Sequence, residues 1–334
     1  MQQRARCPLC GSRRREAVYT QVPNLVKCSD CSLVYSVKLT DQTGNIYSKG
    51  YFVGGDESIS GRDFFSDWAT TYDRIRFSHG LRRLKNFVPR GARILDIGCA
   101  TGNFLRLAQA YGYDCYGLDI SEFAVQYVRD EIGVPCFLGE VASAGIPASY
   151  FDVVTMHHVL EHVDDPIEYL QSVKRVLRKG GTLVVEVPNF ASYDSKLEGA
   201  QWVDLRPDQH FNQFEPRTLT ACLKKSGFTP YMVTSYSPHH YYPLWSPWEF
   251  FRLLGMRDVR AVIRRALIRS KSRAAEESSV THLSKLYDAR GNAVRGVLKR
   301  VLRIATFIAS RPIVAFLDRA ARNKYLVVYS KFEP

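Results

Sequence analysis

The chain contains no run of about 18 uncharged apolar residues, so no segment is expected to cross a bilayer as a helix. Its first residues, Met1 to Arg6, lead into Cys7 without an apolar core. A secretory signal is therefore not expected, and a cytoplasmic protein is. Disulfides are not expected either: eight cysteines in such a chain point to a metal site and free thiols. Positive charge is abundant but uneven. Of the net +13, the segment from Ser237 to Asn323 carries 17 Lys/Arg against 6 Asp/Glu, whereas the rest carries 29 against 27.

Four cysteines form two C-x-x-C pairs, Cys7/Cys10 and Cys28/Cys31, with 17 residues between Cys10 and Cys28. Each pair with its tight turn can present two thiolates to one tetrahedral ion, and the separation suits a hairpin between two knuckles. Four thiolates leave no open position, so the expectation for residues 1–40 is a ribbon around a structural Zn²⁺. Unligated thiols or a redox pair is the alternative. A module this small would depend on the metal to fold.

The densest signal lies at Ile94-Leu95-Asp96-Ile97-Gly98-Cys99-Ala100-Thr101-Gly102-Asn103. An apolar strand runs from Arg93 to Ile97 into a loop of small residues, and a helix opens near Gly102. Small residues let backbone approach a ligand, and the helix start offers unpaired N–H groups. Asp119 ends the next apolar run 21 positions after Gly98, where a second parallel strand delivers a carboxylate to ribose hydroxyls. The order is Asp-x-Gly-x-Ala-x-Gly, not the G-x-G-x-x-G of dinucleotide sites. Asp96 ahead of the loop would repel a pyrophosphate and suits a cationic amino acid end. The pattern resembles motif I of the class I S-adenosylmethionine-dependent methyltransferases, with Ala100 in place of the middle glycine. The resemblance implies cofactor contacts at Asp96, Gly98, Cys99, Ala100, Gly102, Asp119 and Ile120. It adds Glu140 and the backbone of Val141 near adenine, and His157 at the end of the fourth strand.

Around this loop the elements alternate. Helices are expected at Asp73 to Val88, Ser121 to Glu131 with Ser121 as N-cap, Pro166 to Arg178 and Pro216 to Lys225. Strands are expected at Val134 to Leu138, Tyr150 to Met156, Thr182 to Val187, Thr229 to Ser235 and Lys324 to Phe332. The fold class is thus α/β, a doubly wound, Rossmann-like, mostly parallel sheet of seven strands with ligands at the strands' carboxyl ends. Residues 41–90 hold an aromatic, glycine-rich linker and the first helix; in the resembling family Tyr47 and Tyr51 could close over the cofactor. The methyltransferase domain is assigned to 91–236 plus 324–334.

The fourth strand runs into His157-His158-Val159-Leu160-Glu161-His162. Imidazoles near neutrality can accept a proton from an acceptor hydroxyl, and Glu161 with His162 could instead ligate a divalent cation. The stretch is similar to the E-x-x-E-H region of ubiquinone-biosynthesis O-methyltransferases; Glu161 and His162 match its last two positions and His158 replaces its first glutamate. After the fifth strand His210 is the second candidate base. The candidate catalytic set is His158, Glu161, His162 and His210.

The basic segment 237–323 sits between the last two strands as an insertion. Val259, Val262, Ile263, Ala266 and Leu267 keep helical spacing against Arg260, Arg264 and Arg265, and a second stripe follows from Val294 to Ile308. Such helices beside Trp245 and Trp248 fit an anionic membrane surface, a lid on the core, or a polyanion. The expectation is a methyltransferase acting on a hydroxyl of a glycan, lipid-linked or other small-molecule acceptor, cytoplasmic and peripheral at the membrane's inner face. An RNA methyltransferase and a non-catalytic, cofactor-bound scaffold are the alternatives. Against RNA, the fourth strand is not followed by an N/D-P-P-Y type motif.

Overall fold

The computed structural model describes residues 2–40, 47–53, 63–237 and 323–333. The two amphipathic helices expected within 237–323 lie outside the described residues. The N-terminal module contains β1 (Gln2–Gln3), β2 (Arg15–Ala17), β3 (Leu25–Cys28), β4 (Val34–Ser36) and β5 (Lys38–Leu39). Then follow α1 (Lys49–Val53), α2 (Asp67–Leu84), β6 (Arg93–Ile97), α3 (Asn103–Ala110), β7 (Asp114–Asp119), α4 (Glu122–Tyr127) and β8 (Cys136–Leu138). The remainder is β9 (Phe151–His157), α5 (Pro166–Val176), β10 (Leu177–Pro188), α6 (Tyr193–Glu198), β11 (Asn212–Gln213), α7 (Pro216–Lys225), β12 (Thr229–Tyr236) and β13 (Tyr325–Lys331).

Seven strands form one sheet in the order β12-β13-β10-β9-β6-β7-β8. All neighbours from β10 to β8 are parallel, while β13 runs antiparallel to both β10 and β12. Burial explains why the central strands read as continuous apolar runs: β9 is buried from Phe151 through Met156, as expected where helices cover both faces. Helix ends follow local chemistry. Ser121 Oγ accepts from Ala124 N, and Asp165 Oδ1 accepts from Ile167 N and Glu168 N ahead of Pro166.

The helix expected to Glu131 is α4 followed by a π-turn at Val128–Ile132, and the strand expected from Val134 starts at Cys136. Three further points differ from the sequence expectation. Helix α2 starts at Asp67 and ends at Leu84, because the chain to Val88 leaves it as hydrogen-bonded turns before Pro89. Helix α5 ends at Val176, because Leu177 already pairs with Phe151. The glycine pair Gly180-Gly181 is therefore an irregularity inside β10, where the register shifts between Leu177 and Thr182, and not a helix stop. The third concerns the loop after β10. It contributes β11, whose Asn212 and Gln213 pair antiparallel with Tyr35 and Val34 of β4, giving the N-terminal module a four-stranded sheet, β11-β4-β3-β2. The module shares the central core as well: Leu9, Leu33 and Tyr35 belong to the same apolar cluster as Leu160, Phe214 and Leu219.

Candidate active site

A cleft of about 770 Å³ opens at the carboxyl ends of the parallel strands. One half is built by the stretch from β6 to β8. Gly98 has φ 70°, and a Cβ there would come within 2.6 Å of Val159 Cγ2, so both conformation and space require glycine. Ala100 keeps φ 48° despite its methyl group, a conformation that costs a residue with a Cβ about 1–2 kcal/mol. Its N–H donates to Asp119 Oδ2 at 2.9 Å, while Ser121 N donates to Oδ1 at 2.9 Å. A carboxylate has further lone pairs, so Asp119 can still accept from a ligand's hydroxyls. Burial raises its pKa, against the backbone donors that lower it.

Asp96 is buried and accepts from Thr155 Oγ1 at 2.7 Å; burial pushes its pKa up to about 6. A cationic ligand group beside it would relieve that cost. Ile120, 46% exposed, lines the cleft, as do Cys99, Glu140 and Val141. Tyr47 and Tyr51 line it too, their rings edge to face at 5.0 Å, and Ser121 Oγ donates to Tyr47 O at 2.6 Å. Gly102 stands behind the loop at the start of α3, where a Cβ would meet Ile132 and Val128 at 3.0 and 3.1 Å, so its glycine serves helix packing.

The other half gathers the titratable groups. His162 Nδ1 lies 3.0 Å from Gln209 O and His210 Nδ1 lies 2.7 Å from Asp204 O. A carbonyl only accepts, so each ring carries its proton on Nδ1 and keeps the Nε2 lone pair. The two rings are perpendicular at 4.7 Å and both residues line the cleft. Burial lowers both pKa values; His210 deepens the effect on His162, which falls to about 4, while Glu161 opposes it on each. Glu161 is 1% exposed, with Oε1 3.0 Å from His158 Nδ1. Burial would raise its pKa, but His158 and the neighbouring imidazoles hold it down. Its Oε2 has no hydrogen-bond partner among the described residues. One ligand atom each from Glu161, His162 and His210 lies within 4.8 Å of the others, a set that could hold a cation.

His157 and His158 face a network absent from the sequence expectation. Arg76 of α2 pairs with Glu186 of β10, its Nε donating to Oε1 at 2.7 Å, and Tyr236 donates to Oε2 at 2.8 Å. Burial opposes ionisation of Glu186, yet Arg76 and the two imidazoles hold it well below the usual carboxylate range. His158 lies 3.5 Å from Glu186 and 4.8 Å, ring to ring, from Tyr325. Glu161 and Glu186 raise its pKa against burial and Arg76. His157 packs between Phe77 and Phe104, at 5.0 and 4.8 Å. Two further cleft residues also escaped the sequence reading: Asn103 Nδ2 donates to Asp73 Oδ2 at 3.0 Å. The one signal available was Glu186 itself, a lone acid in an apolar strand. Ala100, His158 (φ 58°) and Arg206 (φ 28°) are non-glycine residues in left-handed conformations, and all three line the cleft, as strained residues at functional sites often do.

The four cysteines of the N-terminal module also converge. Cys7 Sγ lies 3.5 Å from Cys31 Sγ and Cys10 Sγ lies 3.4 Å from Cys28 Sγ, with all four within 4.8 Å. Zn–S bonds of about 2.3 Å in a tetrahedron need sulfur separations of about 3.8 Å, so the cluster is close to the required size. Amide groups of Leu9 and Cys10 serve Cys7, and those of Asp30 and Cys31 serve Cys28, the donors that thiolates need.

Residues 70–233 match the family model described as a methyltransferase domain. The chain is 29% identical over 175 residues to the ubiquinone biosynthesis O-methyltransferase of Roseobacter denitrificans, covering 49% of this chain and 70% of that protein. It is 25% identical over 207 residues to the protein of the same name from Coxiella burnetii, covering 57% and 87%. Among solved structures, a SAM dependent methyltransferase from Archaeoglobus fulgidus superposes with a TM-score of 0.44 and 18% identity, over 80% of this chain and all of the other.

Proposed function

We propose that this chain, which is a class I S-adenosylmethionine-dependent methyltransferase, methylates a hydroxyl of a small-molecule acceptor with His162 or His210 as the proton acceptor. The observation that carries the reading is the pair of imidazoles, both lining the cleft, with Nδ1 engaged by main-chain carbonyls and the Nε2 lone pair therefore available as a base. S-adenosylmethionine, when bound, supplies a methyl group on a sulfonium. Asp96 would hold its ammonium group, Asp119 its ribose diol, and Glu140 with Val141 its adenine edge, while Tyr47 and Tyr51 cover it. Transfer would break the sulfonium–methyl bond and leave a neutral thioether. On the protein's side Nε2 would take the proton of the acceptor hydroxyl, and Glu161 would stabilise the resulting imidazolium. Positioning donor and acceptor in line supplies most of the acceleration. Turnover by His162→Gln and His210→Gln, separately and together, is the test. Loss of kcat with unchanged cofactor affinity is expected, and full turnover by both single variants would remove both as bases.

A hydroxyl acceptor is supported by the O-methyltransferases named among the relatives. A lipid-linked or glycan acceptor is supported by the basic, amphipathic sequence of 237–323, which also argues for contact with an anionic membrane at the cytoplasmic face. No helix among the described residues is long and apolar enough to cross a membrane. Co-sedimentation with anionic and neutral liposomes, alongside RNA, over a salt series decides between this and the RNA reading. Binding to RNA alone would favour the latter. The N-terminal cysteines hold a structural Zn²⁺ in this proposal.

A second reading takes Glu161, His162 and His210 as ligands of a divalent cation that polarises the acceptor hydroxyl. The unpartnered Glu161 Oε2 favours it. A cation bound beyond that held by the cysteines, and lost in His210→Gln, is its expected sign by elemental analysis. Retained cofactor binding with no loss of function on replacing all of these residues would favour a scaffold.

A further inference from the structure

We propose that Arg4, carried by the N-terminal cysteine module, is a positioning residue of the active site, stapling together the two loops that bear His162 and His210. The proposal rests on the reading that these histidines act on the acceptor, but its geometry stands independently. Arg4 Nη1 donates to Phe211 O at 3.3 Å and to Asn212 Oδ1 at 3.2 Å; Nη2 donates to Val163 O at 3.3 Å and to Asp164 O. Phe211 directly follows His210, and Val163 directly follows His162. One guanidinium thus binds the main chain next to each histidine, across 207 residues on one side and 159 on the other.

One neighbour repeats the link and the next braces the loop of His210 from within. Asn212 Nδ2 donates to Val163 O at 2.7 Å, and Gln213 Nε2 donates to His210 O at 2.9 Å. Asn212 and Gln213 are the residues that β11 lends to the module's sheet. Arg4 is held in turn by its own N–H on Val37 O at 2.8 Å. A planar fork with diverging donors can reach two loops at once, whereas an ammonium on a single stem reaches one cluster of carbonyls. The cysteine module would therefore be a wall of the active site as well as an appendage.

The test uses the full chain, labelled with ¹⁵N-histidine and assigned by the His162→Gln and His210→Gln variants. Ring nitrogen spectra report the tautomer of each imidazole, and a ring-to-ring Overhauser effect reports their contact, both without an acceptor. In the wild type each ring should show the Nδ1–H form and the contact. In Arg4→Ala both signatures should be lost or averaged, while metal content stays unchanged and the Kd for S-adenosylmethionine stays within about twofold. Arg4→Lys should restore the signature of one ring at most. Unchanged ring spectra in Arg4→Ala would overturn the proposal. If Arg4→Ala fails to fold, Arg4→Lys decides: a folded protein with both wild-type signatures overturns the staple, and one with either ring altered supports it. Failure of the histidines as bases would appear only in their own turnover, so the two ideas fail separately.

Discussion

The two halves of the cleft are built on different length scales. The half proposed to hold the cofactor is mostly local: Asp96, Gly98, Ala100, Asp119 and Ser121 lie on one strand-loop-helix-strand unit, and the two backbone donors to Asp119 lie at most 19 residues from it, while Thr155 reaches Asp96 across 59 residues and Ser121 reaches Tyr47 across 74. The acceptor half is assembled from afar. His162 and His210 are set by carbonyls of a loop after β10, that loop is paired to β4, and Arg4 ties both. A local unit can keep its shape when a remote part of the molecule is lost. An assembled one cannot.

If the cysteine module holds the proposed Zn²⁺, removing it would break this contrast most sharply. A four-thiolate site contributes folding free energy on the order of 10 kcal/mol. Chelation is expected to unfold residues 1–40, release β11 and abolish methyl transfer, while the affinity for S-adenosylmethionine persists. Hydrogen exchange across 204–213, beside calorimetric titration of the cofactor, checks it; coordinated loss of both functions would mean that the halves are not separable. Next in size, Gly98→Ala brings a methyl group within 2.6 Å of Val159 Cγ2 at a positive φ. Overpacking and strain of about 1–3 kcal/mol, if borne by the bound state, predict a Kd for the cofactor raised about 5- to 150-fold. The imidazole spectra should stay unchanged.

Asp96 sharpens the same comparison through pH. Burial pushes its pKa up to about 6, so below that pH the carboxyl is neutral and above it ionised. Only the ionised form attracts the cofactor's ammonium. Affinity should therefore be full above about pH 6 and fall as pH drops, by at most about tenfold per unit. Asp96→Asn should flatten the profile at the weak limit, and a wild-type profile in that variant would exclude Asp96 as the ammonium's partner. The smallest effect is expected at Ala100. Glycine there removes the strain of φ 48° but frees the unfolded chain, so Ala100→Gly should change stability by no more than about 1 kcal/mol and leave cofactor affinity within a few-fold. Thermal unfolding with and without the cofactor measures both.

How far each half was legible in the sequence follows the same division. The Asp-x-Gly-x-Ala-x-Gly loop and Asp119 announced the cofactor half because spacing along one strand-loop-helix unit is nearly a distance in space. His158, Glu161, His162 and His210 were legible as titratable side chains on loops at the right end of a sheet. Their partners were not. Arg76 meets Glu186 across 110 residues, and Arg4 reads in sequence as one of two arginines before Cys7. That Gly180-Gly181 lies inside β10 was not legible for the same reason, since a glycine pair after a helix looks like a stop until the pairing of Leu177 with Phe151 is seen.

By itself the sequence determined the strand and helix alternation, the two cysteine pairs, the acidic residues beside the glycine loop and the positions where only a small residue fits. These follow from periodicity, spacing and backbone sterics, which act over a few residues. Tertiary structure alone decided that the loop after β10 would become the fourth strand of the cysteine module, that Glu186 would be ionised beside Arg76, and that two imidazoles would share one wall of the cleft. Those outcomes depend on which distant groups are buried together. Burial changes the cost of every unpaired charge and donor in ways that no local pattern encodes.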